Sequence, residues 1–128
     1  MIYLLDTQLV LWAAGGSNRL GPTARELLDD PTNGFMFSSA VIWEVTIKTA
    51  LGRPDFEVDP RLLRRGLLQN GATELPITGE HGIAVADLPT LHQDPFDRIQ
   101  VAQARVEGLV LLTADDAVAA YGSPVQLV

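Results

Sequence analysis

The chain has 128 residues, a length that fits one domain, with 16 acidic residues against 9 basic ones, a formal charge of −7 and no cysteine. A chain this long buries enough surface to fold without covalent or metallic staples. Having no cysteine excludes a disulfide framework, a thiol nucleophile and any cysteine-ligated zinc or iron–sulfur centre, and it fits a reducing cytoplasm.

In chain order, Ile2–Leu5 is a short apolar run that ends at Asp6, the pattern of a buried strand. The segment before it has no basic leader, so it does not read as a signal peptide. Leu9–Gly16 is too short to span a bilayer, so no membrane association is expected. Gly21-Pro22 opens a helix through Leu28, with Pro22 suited to its first turn. Phe35–Phe37 is a second strand. Ser39 is the expected N-cap of a helix running to Leu51, with Gly52 as its stop.

Asp59-Pro60 begins a helix over Arg61–Gln69 that closes at Asn70-Gly71. Thr73–Ile77 is a short strand weakened by Pro76, and Thr78 caps a short helix ending near Leu88-Pro89. Asp94-Pro95 begins the helix Phe96–Glu107, stopped by Gly108. Leu109–Leu112 is the most evident buried strand, Asp115 caps a last short helix, and Val125–Val128 is an edge strand. Strands alternating with helices predict a single α/β domain over residues 1–128, with a mostly parallel sheet covered on both faces. In such sheets ligands bind beyond the carboxyl ends of the strands.

Four acids map to that end. Asp6 directly follows the first strand, and Asp115 follows Leu109–Leu112 after Thr113 and Ala114. Either one taken alone also reads as an N-cap. Glu44 lies in Ala40–Lys48, a helix apolar on most faces and therefore expected to be buried, where a carboxylate needs a partner. Lys48, four residues on, offers an ordinary ion pair. In Asp94-Pro95-Phe96-Asp97-Arg98, Asp94 reads as the N-cap and Asp97 either closes a capping box or faces the crevice. Four carboxylates in one crevice repel one another unless a cation neutralises them. Oxygen donors without histidine or cysteine suit Mg²⁺ or Mn²⁺. Such an ion binds a phosphodiester and activates water.

Eight of the nine bases are arginine, and Arg53, Arg61, Arg64 and Arg65 cluster. They read either as a solvated helix face or as a basic rim tracking a polyanion, and the net charge does not choose between these.

Leu4-Leu5-Asp6-Thr7, Ser39 through Lys48, Asp94–Arg98 with Ala102-Gln103-Ala104, and Leu112–Asp115 together resemble the PIN domain, and within it the VapC-type toxins. The similarity spans essentially the whole chain in order. It implies a three-layer α/β/α sandwich and a metal-dependent endoribonuclease, usually dimeric, held inactive by a cognate antitoxin. Position by position it makes Asp6, Glu44, Asp97 and Asp115 the four acids that hold Mg²⁺ or Mn²⁺. Asp94 and Asp116 become helix caps or supporting groups. Beside the four acids, Thr7, Thr113 and Arg98 read as positioning groups. Gln8 departs from the pattern, standing where relatives often carry histidine, and a neutral amide cannot shuttle a proton near neutrality.

The readings set against this one are an aspartyl-phosphate phosphatase, a phospho-accepting receiver domain and a non-catalytic α/β binding module. The first wants an acid two residues after Asp6, where Gln8 stands. The second wants an acidic pair after the first strand and a lysine after the last, and neither is present. In the third, the carboxylates only cap helices and pair with cations.

Overall fold

The computed structural model describes residues 1–53 and 56–128. Its elements in chain order are β1 (Ile2–Leu5), α1 (Thr7–Gly15), α2 (Pro22–Asp29), β2 (Gly34–Ser38), α3 (Ser39–Ala50), α4 (Pro60–Gln69) and β3 (Thr73–Leu75). They continue with α5 (Gly79–Ala84), a 3-10 turn (Val85–Asp87), α6 (Pro95–Glu107), β4 (Val110–Thr113), α7 (Asp116–Ala119) and β5 (Val125–Leu127). The five strands form one sheet in the order β3-β2-β1-β4-β5, with every neighbouring pair parallel. The expected sandwich is therefore the observed fold.

Strand periodicity builds the layers. Tyr3 and Leu5 of β1, Phe35 and Phe37 of β2, and Val110 and Leu112 of β4 pack on one side with Leu9, Val10, Ala24, Val41, Val45 and Leu63 from α1 to α4. The alternate residues Leu4, Met36 and Leu111 face the other way, onto Val101, Ala102, Ala104 and Val118 of α6 and α7. A parallel sheet needs this double cover, and the unbroken apolar runs of β1 and β4 supply residues for both faces.

The chain runs outward from β1 to β2 and β3, then returns to place β4 on the opposite side of β1. The strand order thus reverses between β1 and β4, and a crevice opens above their carboxyl ends. Leu4 pairs with Leu111 and Leu5 with Leu112, so Asp6 and Thr113 leave the sheet side by side.

Several boundaries differ from expectation for local reasons. The N-cap of α3 is Ser38, whose Oγ accepts from the Ala40 N–H at 3.0 Å, whereas Ser39 donates to the Leu75 carbonyl at 3.4 Å. β3 stops at Leu75 because Pro76 has no N–H to offer the ladder. Thr78 caps α5 as expected, with His81 in place of an acid closing the capping box. Helix α3 is not buried all round. Ala40, Val41, Glu44 and Val45 face inward, while Trp43, Ile47 and Leu51 form an exposed seam at 61%, 38% and 66% exposure. Its apolar faces outnumber the surfaces available to cover them, and Trp43 has an edge-on contact with Phe96 at 5.3 Å.

Candidate metal centre

A cavity of about 450 Å³ lies at the crevice, and Asp6, Glu44, Asp94, Asp97, Asp115 and Asp116 line it together with Lys48. The four acids singled out from sequence thus share one cavity. They arrive from four places: the ends of β1 and β4, the middle of α3 and the first turn of α6.

Asp6 is both cap and site residue. Its Oδ1 accepts from the Leu9 N–H at 2.9 Å, closing the N-terminus of α1, and its Oδ2 accepts from the Thr113 hydroxyl at 2.5 Å. Burial raises its pKa, against the lowering effect of those two bonds, and the charges of Asp115 and Glu44 raise it further. Asp115 caps α7 through the Ala117 N–H at 2.9 Å, and its own N–H donates to Thr113 Oγ1 at 3.0 Å. Thr113, wholly buried, therefore ties the two acids to one hydroxyl.

Glu44 is 5% exposed and held from both sides. Thr7 Oγ1 donates to its Oε1 at 2.6 Å, and Lys48 Nζ donates to its Oε2 at 2.6 Å. The ordinary ion pair that sequence allowed is real, yet it lies inside the cavity with its lysine end half-exposed. Each carboxylate oxygen retains a further lone pair.

Asp94 is the N-cap of α6 and accepts from the N–H groups of Phe96 and Asp97 at 2.9 and 3.3 Å. Asp97, half-buried at the third helical position, lines the cavity. Its carboxyl is pushed up to about 7, first by burial and then by the charges of Asp94, Glu44, Asp6 and Asp115. These acids are therefore electrostatic neighbours as well as spatial ones.

Arg98 does not serve this cavity. Its guanidinium donates to the carbonyls of Pro89 and Val85 at 2.9 and 3.3 Å and to the Tyr121 hydroxyl at 3.0 Å, tying the segment before α6 to the helix. The sequence reads it as a positioning group; in the structure carbonyls of a connecting segment, invisible as a motif, and the Tyr121 hydroxyl take up its donors. Within the arginine cluster, Arg64 is paired with Glu74 at 2.8 Å, and Arg61 and Arg65 lie exposed on α4.

The donors around the cavity fit a hard divalent cation, being carboxylate oxygens with no imidazole among the described lining residues. Among the described residues, no three histidine, cysteine, aspartate or glutamate side chains stand close enough together, as placed, to hold a metal ion between them.

The family model of the PIN domain matches residues 3–123. The chain belongs to the PIN domain family. As a PIN domain, it superposes on VapBC2 of Rickettsia felis, solved bound to a promoter DNA fragment, with a TM-score of 0.70 at 17% identity, covering 100% of this chain and 98% of the other. VapBC-1 of nontypeable Haemophilus influenzae gives 0.67 at 22% identity, over 100% and 97% of the two chains. VapC20 of Mycobacterium tuberculosis, described as a sarcin–ricin loop cleaving toxin, gives 0.63 at 21% identity over 95% of each chain. No curated protein matches this PIN domain by sequence. Its fold is shared with these toxin–antitoxin structures over 95–98% of their own chains.

Proposed function

We propose that this chain is the toxin of a toxin–antitoxin pair and a Mg²⁺- or Mn²⁺-dependent endoribonuclease. The observation that carries the reading is the convergence of Asp6, Glu44, Asp97 and Asp115 on one cavity at the β1–β4 switch point, where burial and their charges push Asp97 up to about 7. A cluster held against its own repulsion serves a cation better than it serves two helix caps and an ion pair. Membership of the PIN family and the sarcin–ricin loop cleavage named for VapC20 support nuclease action on RNA.

On this reading Asp6, Glu44, Asp97 and Asp115 hold the ion, directly or through its waters. Bound there, the ion would lower the pKa of a water and screen charge developing on the phosphate. The chain's own groups set the stage. Thr113 orients Asp6, Thr7 and Lys48 orient Glu44, and the Asp94 cap fixes the first turn that carries Asp97. The Lys48 ammonium lies at the cavity wall, where it can also meet a phosphate oxygen. Phe56 borders this cavity, a groove between α1 and α4, and the pocket beside Arg53 and Arg61. Arg19 lines the groove and Arg53 and Arg61 the further pocket, in each case beside Glu57 and Asp59, and on this reading the arginines meet phosphates of the RNA backbone.

An antitoxin partner is part of the same proposal, supported by toxin–antitoxin neighbours such as the Klebsiella pneumoniae complex. A cationic side chain from that partner would sit in the acidic niche. So is a homodimer, for which the exposed seam Trp43, Ile47 and Leu51 offers an apolar face. Among the described residues no helix is long and apolar enough to cross a membrane, and a cytoplasmic setting completes the proposal.

The deciding experiment sequences the ends of RNA exposed to the purified chain with Mg²⁺, with Mn²⁺ and with chelator. Defined new ends should appear with either metal and vanish with chelator. Undiminished cleavage in chelator, with bound metal excluded by elemental analysis, rejects the metal reading. No cleavage of any RNA by a metal-loaded protein favours the binding module.

A further inference from the structure

Gln100 lies one turn beyond Asp97 on α6, fully buried, and does not line the cavity. Its Nε2 is 3.0 Å from the Phe96 carbonyl and 3.3 Å from Thr7 Oγ1. The carbonyl can only accept. The Thr7 hydroxyl proton is directed at Glu44 Oε1, 2.6 Å away, so Thr7 Oγ1 also has only a lone pair to offer Gln100. Both neighbours are acceptors, which fixes the amide with its NH₂ toward them and leaves Gln100 Oε1 without a partner among the described residues. One direction therefore runs through three side chains: Gln100 N–H to Thr7, Thr7 O–H to Glu44, with Lys48 closing the other oxygen of Glu44.

We propose that Gln100 is a positioning residue, whose donation to Thr7 commits the Thr7 hydroxyl to Glu44 and so fixes the plane in which Glu44 presents its free lone pairs to the cavity. A hydroxyl is a free rotor that can give or take a hydrogen bond, and a buried donor aimed at its oxygen removes one of those choices. Groups behind metal ligands commonly act in this way. The proposal rests on the metal reading above only where Glu44's role is concerned; the commitment of Thr7 is a property of the protein alone.

The test therefore has two parts, both on the full chain. Three-bond couplings from the Thr7 hydroxyl proton to its own Cα and methyl carbon, measured without metal, report the direction of the O–H. The wild type should show one rotamer, and Gln100→Leu, which keeps the volume, should show averaging. Gln100→Met gives the same reading should the leucine variant fold poorly. In a Mn²⁺ titration followed by water-proton relaxation, Gln100→Leu and Thr7→Val should each weaken binding about tenfold, the low end of the range for such supporting groups. The double variant should be no weaker than either single one, because the two act along one path. Thr7 couplings that stay unchanged in Gln100→Leu overturn the proposal, as do additive losses in the double variant. A wild type that shows no saturable Mn²⁺ site rejects the metal reading instead, and the rotamer result then decides this proposal by itself.

Discussion

The Thr113 hydroxyl donates to Asp6 Oδ2 across the seam between β4 and β1, joining the ends of two strands that are far apart in sequence and adjacent in the sheet. Thr113 Oγ1 in turn accepts from the N–H of Asp115, so one buried side chain spaces two of the acids. Strand register at the switch point thereby becomes carboxylate geometry at the cavity.

Thr113→Val keeps the shape and removes both interactions. Asp6 loses a donor that favours its charged form, and the Asp115 N–H loses its acceptor. Stability should fall by about 1–3 kcal/mol, the usual loss when buried polar groups are left unpaired. Cleavage should fall more steeply than folding does. Chemical denaturation and initial rates check this together, and a variant as stable and active as the wild type would mean that Thr113 does not space the two acids.

Glu44 and Lys48 should respond differently to charge removal. Glu44→Gln leaves a residue that can still pair with Thr7 but discards a negative charge from the cavity, so Mn²⁺ affinity and cleavage should both drop. Lys48→Met leaves Glu44 buried with one partner fewer, and should lower metal-free stability by about 1–3 kcal/mol. It also removes a cation next to the proposed ion, which offsets the lost hold on Glu44, so Mn²⁺ affinity should drop less than in Glu44→Gln. Calorimetric titration separates the two, and a larger loss in Lys48→Met than in Glu44→Gln would contradict this placement of the ammonium.

Much of this site can be read from residue order. An apolar run cut short by Asp6, another by Thr113 and Asp115, and the Asp94-Pro95 helix start are local signals, each with a local physical cause. The pairing of β1 with β4 is not local, and sequence could place Asp6 beside Asp115 only on the condition that those strands adjoin. Arg98 shows the opposite limit. It sits beside Asp97 in sequence, but its partners are main-chain carbonyls and Tyr121, which no side-chain motif reveals. Gln100 was equally silent, because its meaning depends on Thr7 arriving from the far end of the chain. The one-residue shift from Ser39 to Ser38 at the α3 cap belongs to a simpler class: two adjacent serines both qualify, and the exit of β2 decides which one turns inward.

The raised carboxyl of Asp97 makes a prediction for stability against pH in chelated protein. Its pKa is pushed from an ordinary 3.8 to about 7 on folding, by burial first and by its acidic neighbours next. Between those values the folded chain holds a proton that the unfolded chain has released, so stability falls as pH rises. The contribution is complete below the unfolded value and lost on passing the folded one. Asp6 is shifted in the same direction and adds to the slope. Asp97→Asn should therefore gain stability relative to the wild type as pH climbs from about 4 to about 7 and hold that lead above it. Mn²⁺ should cancel the lead by stabilising the wild type alone. Denaturation midpoints at a series of pH values give the comparison, and a difference that stays constant across the range would mean that neither burial nor its neighbours disfavour the Asp97 charge.

The two acids at the start of α6 should part company in function. Asp94 accepts from the N–H groups of Phe96 and Asp97, an N-cap arrangement with Pro95 in the first turn. It also borders the cavity and raises the pKa of Asp97, so its charge is felt at the site. Asparagine caps a helix about as well as aspartate, so Asp94→Asn should keep the fold and most of the activity, with Asp97 slightly easier to ionise. Asp94→Ala removes the cap and should cost about 0.5–2 kcal/mol of stability. Asp97→Asn preserves shape but removes the charge that the proposed cation needs, so it should abolish cleavage while leaving the metal-free protein no less stable. Melting temperatures in chelator and initial cleavage rates with Mg²⁺, taken for all three variants, distinguish cap from ligand. If Asp94→Asn were the silent variant and Asp97→Asn still cut RNA, the roles would be reversed, and the cavity's charge would have to be organised around the cap.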